Sequence, residues 1–414
     1  MTPVKQRILF VDDEPHVLDG LRRLLHRLRS EWDMWFVASG EEAVTLMENQ
    51  AIDVVITDMR MPGMNGAQLL EIIRSRWPET IRLVLSGYSG KDLVLCSASA
   101  AHRFLAKPCD LETIVNTVKR SCQLRDVLHD SSIQSMVSQI ESLPVLPNVY
   151  AELMDAISSE RVPITQIGPI IGRDISLSTK VLQIVNSPFF GLRRHIDDPS
   201  DAVVFLGLDT IRALVLSLGV FTVMDMELLK EFELEALEDH SMRVGTGARR
   251  ICSHLRLSPA NQGYAFTAGL VHATGLLILM KSLSPDLRMV LDLAREEGRS
   301  MYDAEREILG TTHAHLGAYL LGLWGLPDPV VEAVLLHENP SEAPERQLSP
   351  LTAVHIANVL DHQTHGGSWQ KKPELDMEYL RALDLEESIP DWTEMIRDGV
   401  DETEFHPMGA QHGK

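Results

Sequence analysis

The chain is poor in the residues that would staple it or carry it through a membrane. Its four cysteines in 414 residues, Cys96, Cys109, Cys122 and Cys252, form no Cys-x-x-Cys pair. Neither a disulfide framework nor a structural zinc is expected, and the thiols read as small apolar residues. No apolar run reads as long enough to span a bilayer, and MTPVKQRILFVDDE places acids where a signal peptide would stay apolar. The expectation is a cytoplasmic protein with no membrane partner. A surplus of positive charge is also missing, since the formal net charge is −21. Residues 1–125 are balanced, with 16 basic and 16 acidic side chains, so the whole excess falls on residues 126–414. Such a field repels phosphate backbones and weighs against DNA binding. What is present is ordinary globular material, 44% hydrophobic and 23% charged. It is long enough for two or three domains.

Residues 1–125 alternate short apolar runs with amphipathic patterns. RILFV, MWFV, DVVIT, IRLVLS and HRFLA read as strands over 7–11, 34–37, 53–57, 81–86 and 102–106. Helical patterns fall near 16–29, 41–49, 66–76, 90–98 and 110–128. Five strands alternating with five helices predict a parallel sheet with right-handed crossovers, whose chemistry gathers at the carboxyl ends of the strands.

Acids stand at those ends. Asp12 and Asp13 follow the first strand, Asp58 ends the third, Ser86 closes the fourth, and Lys107-Pro108 follows the fifth. Each has a bland alternative as a helix cap or loop start, but all of them in order argue for a site. Converging carboxylates repel unless a cation lies among them, and a hard, oxygen-seeking Mg²⁺ fits best. One carboxylate can then act as nucleophile toward a phosphoryl group, while Lys107 neutralises a phosphoryl oxygen and Ser86 donates to another.

With Met61-Pro62-Gly63 and Phe104-Leu-Ala-Lys107-Pro108, this set resembles a response-regulator receiver domain over nearly its full length. The resemblance implies a flavodoxin-like (βα)5 fold and Asp58 as acceptor of a phosphoryl group from a histidine kinase. It also implies Mg²⁺ held by Asp13, Asp58 and the backbone carbonyl of Arg60, with Asp12 reaching it through water. The implied switch pair is Ser86 and Phe104, where phenylalanine replaces the commoner tyrosine.

From Leu111 to about Ile140 there is no proline or glycine, and the apolar spacing reads as a continuous or kinked helix. It would either pack on its own domain or dimerise the protein. After SLPVLPN the pattern is helical throughout, without strand-like alternation, which predicts an all-α domain. Among its helices are 209–223, 240–257 and 260–281. LPVLP, VNSPFFG, AFTAGLVHATGLLIL and HAHLGAYLLGLWGLP resemble an HDOD domain, a helical relative of metal-dependent HD phosphohydrolases, from about Ser135 to His365.

In hydrolytic relatives a histidine set is joined by a His-Asp doublet and a late aspartate. The matching positions here are His240, His272-Ala273, His313, His337-Glu338 and Asn358, so two carboxylates are gone. The metal site is expected to be degenerate, with no cofactor in this domain and the histidines packed or capping. His313 and His315 in particular suit a helix start facing solvent. The expected layout is a receiver at 1–125, a connecting helix at 126–142, the HDOD domain at 143–365 and an acidic segment at 366–414 with a short helix around Trp392. The expected function is a two-component regulator, not an enzyme, whose helical output binds an unknown protein. The alternative is a phosphorylation-gated metal-dependent phosphohydrolase.

Overall fold

The computed structural model describes residues 5–86, 101–107, 109–128, 131–138, 163–186, 195–207, 230–365 and 373–397, with short pieces at 140, 144–145, 149, 152–153, 156, 211 and 222–223. The amino-terminal part is a five-stranded parallel sheet in the order β2-β1-β3-β4-β5. The strands are β1 (Gln6–Val11), β2 (Trp32–Val37), β3 (Val54–Thr57), β4 (Ile81–Ser86) and β5 (Arg103–Ala106). Register is in step across the middle, with Phe10 beside Phe36 and Ile56. All four residues of β3 are buried, as an interior parallel strand covered on both faces requires. Helices α1 (Pro15–Leu24), α2 (Gly40–Met47) and α3 (Gly66–Arg76) cross between strands. The expected helix near 90–98 lies outside the described residues.

Local chemistry starts these helices. Pro15 opens α1, Ser39 accepts from the Glu42 amide at the head of α2, and Asn65 with Gln68 makes a capping box on α3.

The expected long connecting helix is two helices. The first, α4 (Leu111–Val127), is capped by Asp110 and stops at Leu128, whose backbone is extended. The second, α5 (Ser131–Ser138), follows. The Gln134 side chain donates to the carbonyls of Arg125, which also accepts from the Leu128 amide, and of Leu128, satisfying the end of α4. Ile114, Val118, Leu128 and Val137, from the stripe that suggested dimerisation, are buried within the chain itself.

Among its described residues the second domain is mostly helical, with one departure. Pro144–Val145 (β6) pairs in parallel with Thr222–Val223 (β7), so the end of the expected helix 209–223 is a two-residue strand. The described helices are α6 (Ile164–Gly172), α7 (Ile175–Val185), α8 (Pro199–Leu206), α9 (Leu234–His254), α10 (Pro259–Val271), α11 (Thr274–Ser282), α12 (Ser284–Glu297), α13 (Met301–Leu309), α14 (His313–Leu323), α15 (Asp328–Leu336), α16 (Pro350–His365), α17 (Met377–Ala382) and α18 (Ile389–Arg397).

The core of this domain is α9 against α10 and α16, with α14 and α15 alongside. Gly269 lets α10 approach the Gly245 backbone of α9 so closely that a Cβ would sit 2.6 Å from the Gly245 Cα. Trp392 of α18 is fully buried and donates its indole N–H to His254. The helix expected there therefore docks on the bundle.

Two sequence readings need correction here. Pro259–Ser282 is 24 residues long with mean hydropathy 1.5, enough by length and composition to cross a bilayer, yet 89% of its most apolar window is buried in the core. The single helix expected over 260–281 is divided at His272-Ala273, which links α10 to α11.

The two domains touch through α4 and α5, both packed on α14. Arg82 of β4, only 1% exposed, donates to the Ser138 carbonyl at the end of α5 and lies 2.7 Å from His102 Nε2. Burial lowers its pKa to about 9. Arg120 of α4 pairs with Asp328 of α15, and the Arg103 side chain of β5 lies against Gly325, whose φ of +81° other residues adopt only with strain.

Candidate functional site

Two clusters of polar side chains stand out, one in each domain. The first lies at the carboxyl ends of β1, β3 and β5. Asp12 follows directly on β1 and is 2% exposed, and its Oδ1 accepts from the Glu14 amide, which fixes its direction. Asp58 follows β3, its amide donating to the Val11 carbonyl and its Oδ2 accepting from the Arg60 amide at 2.6 Å. Lys107, one residue past β5, donates to Asp12 at 2.7 Å and to Asp58 at 2.5 Å.

Burial alone would lower the Lys107 pKa. The two carboxylates outweigh it and hold the ammonium above its ordinary value. Asp13 is the next residue in the same loop, half-buried. Ser86 ends β4 beside Ala106, and Phe104 pairs in register with Val84, but their side chains lie outside the described set, as does Pro108.

The loop after Asp58 is shaped by two glycines. Gly63 adopts φ +73°, and Gly66 presses on the backbone so tightly that a Cβ there would meet the Asp58 carbonyl oxygen at 2.2 Å. The head of α3 thereby pins the loop that carries Asp58 and Arg60.

The second cluster surrounds a cavity of about 310 Å³ in the helical domain, lined by His240, His272, His313, His337, Glu338, Asn358 and their neighbours. His272 and His337 each cap the carboxyl end of a helix, α10 and α15. Each places Nδ1 on the carbonyl three residues back, Gly269 at 2.6 Å and Val334 at 2.8 Å. Only a protonated Nδ1 can meet a carbonyl, so the remaining lone pair of the neutral ring is on Nε2.

His313 opens α14, and its Nδ1 lies 2.9 Å from both oxygens of Glu305, which is fully buried on α13. Thus His313 is not a solvent-facing cap. Thr312, not a histidine, caps the helix by accepting from the His315 amide, and the half-buried His315 ring lies with Nδ1 2.6 Å from the Thr312 hydroxyl. His240 on α9 differs again, with Nδ1 2.6 Å from Asp361 and Nε2 3.0 Å from the Asn358 side-chain oxygen.

The four expected histidines therefore come together. Ring centroids are 5.2 Å apart for His240–His272, 5.1 Å for His272–His337 and 5.5 Å for His313–His337. What brings α11 and α14 to this point is Gly275, where a Cβ would stand 1.8 Å from the His313 carbonyl oxygen.

Burial, reinforced by His337 and His240, drives the His272 pKa well below the ordinary imidazole value, and burial with His313 lowers His337 to about 3. Burial also opposes a charge on His313, but Glu305 and then Glu338 reverse the balance and lift it to about 9. Burial pushes the Glu338 carboxyl up to about 7.

Sequence reasoning missed Glu305, Asp361, Arg243 and His362. Arg243 donates to both oxygens of Asp361, and the His362 ring lies 4.2 Å from that of His240. The spacing of Asp361 and His362 from Asn358 on one helix face was the available signal. For Glu305, eight residues before His313 and on another helix, there was none.

A doubly wound sheet with an acid–lysine cluster at its carboxyl edge, joined to a helical bundle, defines a protein of the response-regulator class. The model of the response regulator receiver domain matches residues 8–119, and that of the HDOD domain matches residues 143–340. The chain thus carries an amino-terminal receiver domain and, after it, an HDOD domain.

An uncharacterized protein of Treponema pallidum (strain Nichols) is 28% identical over 230 residues, 54% of this chain and 43% of that protein. The hydrogenase transcriptional regulatory protein HoxA of Cupriavidus necator is 32% identical over 132 residues, 31% of this chain and 27% of that protein. The matched stretches thus span less than half of either relative. The crystal structure of the MmoQ response regulator from Methylococcus capsulatus is 24% identical, with a TM-score of 0.47, covering 61% of this chain and 98% of that one.

Proposed function

We propose that Asp58 accepts a phosphoryl group from a histidine kinase and that this event controls a non-catalytic helical output. The observation that carries the reading is the Lys107 ammonium shared by Asp12 and Asp58. The two carboxylates and their lysine stand at the sheet's carboxyl edge, where ligands of such sheets bind. The donor set also suits Mg²⁺, because two carboxylates already converge on one positive charge and Asp13 adds a third. Asp12, Asp13, Asp58 and the Arg60 carbonyl would hold the ion, which when bound neutralises phosphoryl oxygens.

In the transfer an Asp58 carboxylate oxygen forms the O–P bond as the N–P bond to the kinase histidine breaks. Lys107 then turns from Asp58 to the new phosphoryl oxygens. That movement starts at the end of β5, and Lys107 is three residues before the Asp110 cap of α4, which packs on α14. Loosening of the α4–α14 contact is the signal to the second domain, whose target is a protein partner. DNA is a poor target for its acidic charge.

Phosphohydrolase chemistry is disfavoured by the residues themselves. The doublet position is the buried methyl group of Ala273, and the late position is the Asn358 amide, which is engaged with His240. The test is intact-mass measurement after acetyl phosphate and Mg²⁺. Gain of one phosphoryl group per chain, lost in Asp58→Asn, supports the reading, and equal uptake by Asp58→Asn overturns it.

A further inference from the structure

We infer that the helical domain holds a single divalent transition ion of the zinc class, bound by His313, His337 and Glu338, with His272 as the neighbouring fourth donor. The inference does not depend on the phosphorylation reading. One donor atom from each of His313, His337 and Glu338 lies within 4.8 Å of the other two. A bound ion would need only small side-chain adjustments to gather them.

The rings are set up for this. His272, His313 and His337 are anchored through Nδ1 to a carbonyl or a carboxylate, and Nε2 of each has no protein hydrogen bond among the described residues. Anchoring one ring nitrogen so that the other presents its lone pair is how proteins orient metal-binding imidazoles, and Glu305 on His313 supplies the carboxylate form of that anchor.

Glu338 points to the same conclusion independently. Its Oε2 is buried with no hydrogen-bond partner among the described residues, a costly arrangement for a carboxylate unless a cation meets it. The oxygen missing at Ala273 is therefore replaced from a different place, the residue after His337.

Only one ion fits this donor set. Asn358 is tied to His240, Asp361 to His240 and Arg243, and Ala273 offers no lone pair, so a second ion would find no uncommitted oxygen ligand among the described residues. Imidazole nitrogens with one carboxylate favour Zn²⁺, Co²⁺ or Ni²⁺ over Mg²⁺ or Ca²⁺.

The experiment uses full-length protein stripped with chelator, reloaded with Zn²⁺ or Co²⁺ and freed of excess. Metal content is measured by mass spectrometry, and Co²⁺ is also read by its visible absorption. The expected result is about one equivalent per chain with a four-coordinate Co²⁺ spectrum. Affinity, measured against a competing chromophoric chelator, should fall about 10- to 100-fold in Glu305→Gln, the anchoring change, and further in His337→Ala or Glu338→Gln. Each variant is compared by circular dichroism with wild type. His365→Ala, on the cavity rim, serves as the control that keeps its metal. A wild-type chain that retains no metal overturns the inference and leaves His313 as an imidazolium between Glu305 and Glu338. Metal retained equally by folded His337→Ala and Glu338→Gln overturns it as well.

Discussion

The two polar clusters solve the same problem, that of holding charge inside a protein, in opposite ways. At the receiver edge, charge is balanced by charge. Asp12 and Asp58 share the one Lys107 ammonium in a site that still meets solvent, the lysine side chain being 21% exposed. In the helical cavity the groups are mostly made neutral, because His272 and His337 are buried and tied to backbone carbonyls. The first arrangement is held by attractions that an incoming phosphoryl group can redistribute. The second is held by hydrogen bonds to helix ends and is stiff. A switch is expected at the open edge and a fixed binding geometry in the cavity.

Four changes would break or sharpen that contrast. The largest effect is expected from Asp58→Asn, which should abolish phosphoryl uptake by intact mass without moving the melting temperature of the helical domain. Next is Gly275→Ala, whose methyl group would be driven into the His313 carbonyl. A loss on the order of 3 kcal/mol in denaturant unfolding is expected, because neither helix backbone can yield without opening the bundle.

Arg82→Met should cost about 2 kcal/mol, since the buried Ser138 carbonyl at the domain junction loses its charged donor and keeps only the His102 Nε2–H. The smallest is Asn65→Ala, about 1 kcal/mol for the lost capping box on α3.

Acidity separates the clusters further. His337 has a folded-state pKa pushed down from 6.5 to about 3, so the unfolded chain takes up its proton first. The stability it contributes is present above about 6.5 and is lost as pH falls toward 3. His313 runs the other way, raised to about 9. Its contribution is full below 6.5 and disappears as pH rises through 9. Thermal melts of the metal-free chain across this range should show both limbs, and His337→Gln should shrink the acid limb, which buried His272 and His362 share, without removing the other.

How much of this was legible depended on where each residue sits relative to regular structure. The receiver strands alternate with helices, so reading where each apolar run stops placed Asp12, Asp58 and Lys107 at one edge. The four histidines could be lined up only through a resemblance, because helix ends far apart in sequence bring them together. Glu305 was invisible, since nothing in EREILGTTHAH says that the chain folds the glutamate back on His313.

The break between α4 and α5 was hidden because Leu128 and its neighbours suit a helix. It is tertiary contact, through Arg82 with Ser138 and Gln134 with the end of α4, that favours two short helices. The division at His272-Ala273 was hidden for a similar reason, an apolar run that stays apolar across it.

Hydrogen–deuterium exchange on the full chain, with and without beryllofluoride and Mg²⁺, tests the central claim most directly. The account predicts faster exchange in both 111–127 and 313–323 when the phosphoryl mimic is bound, and no change in Asp58→Asn. Exchange altered only around Asp58, with 313–323 untouched, would contradict it.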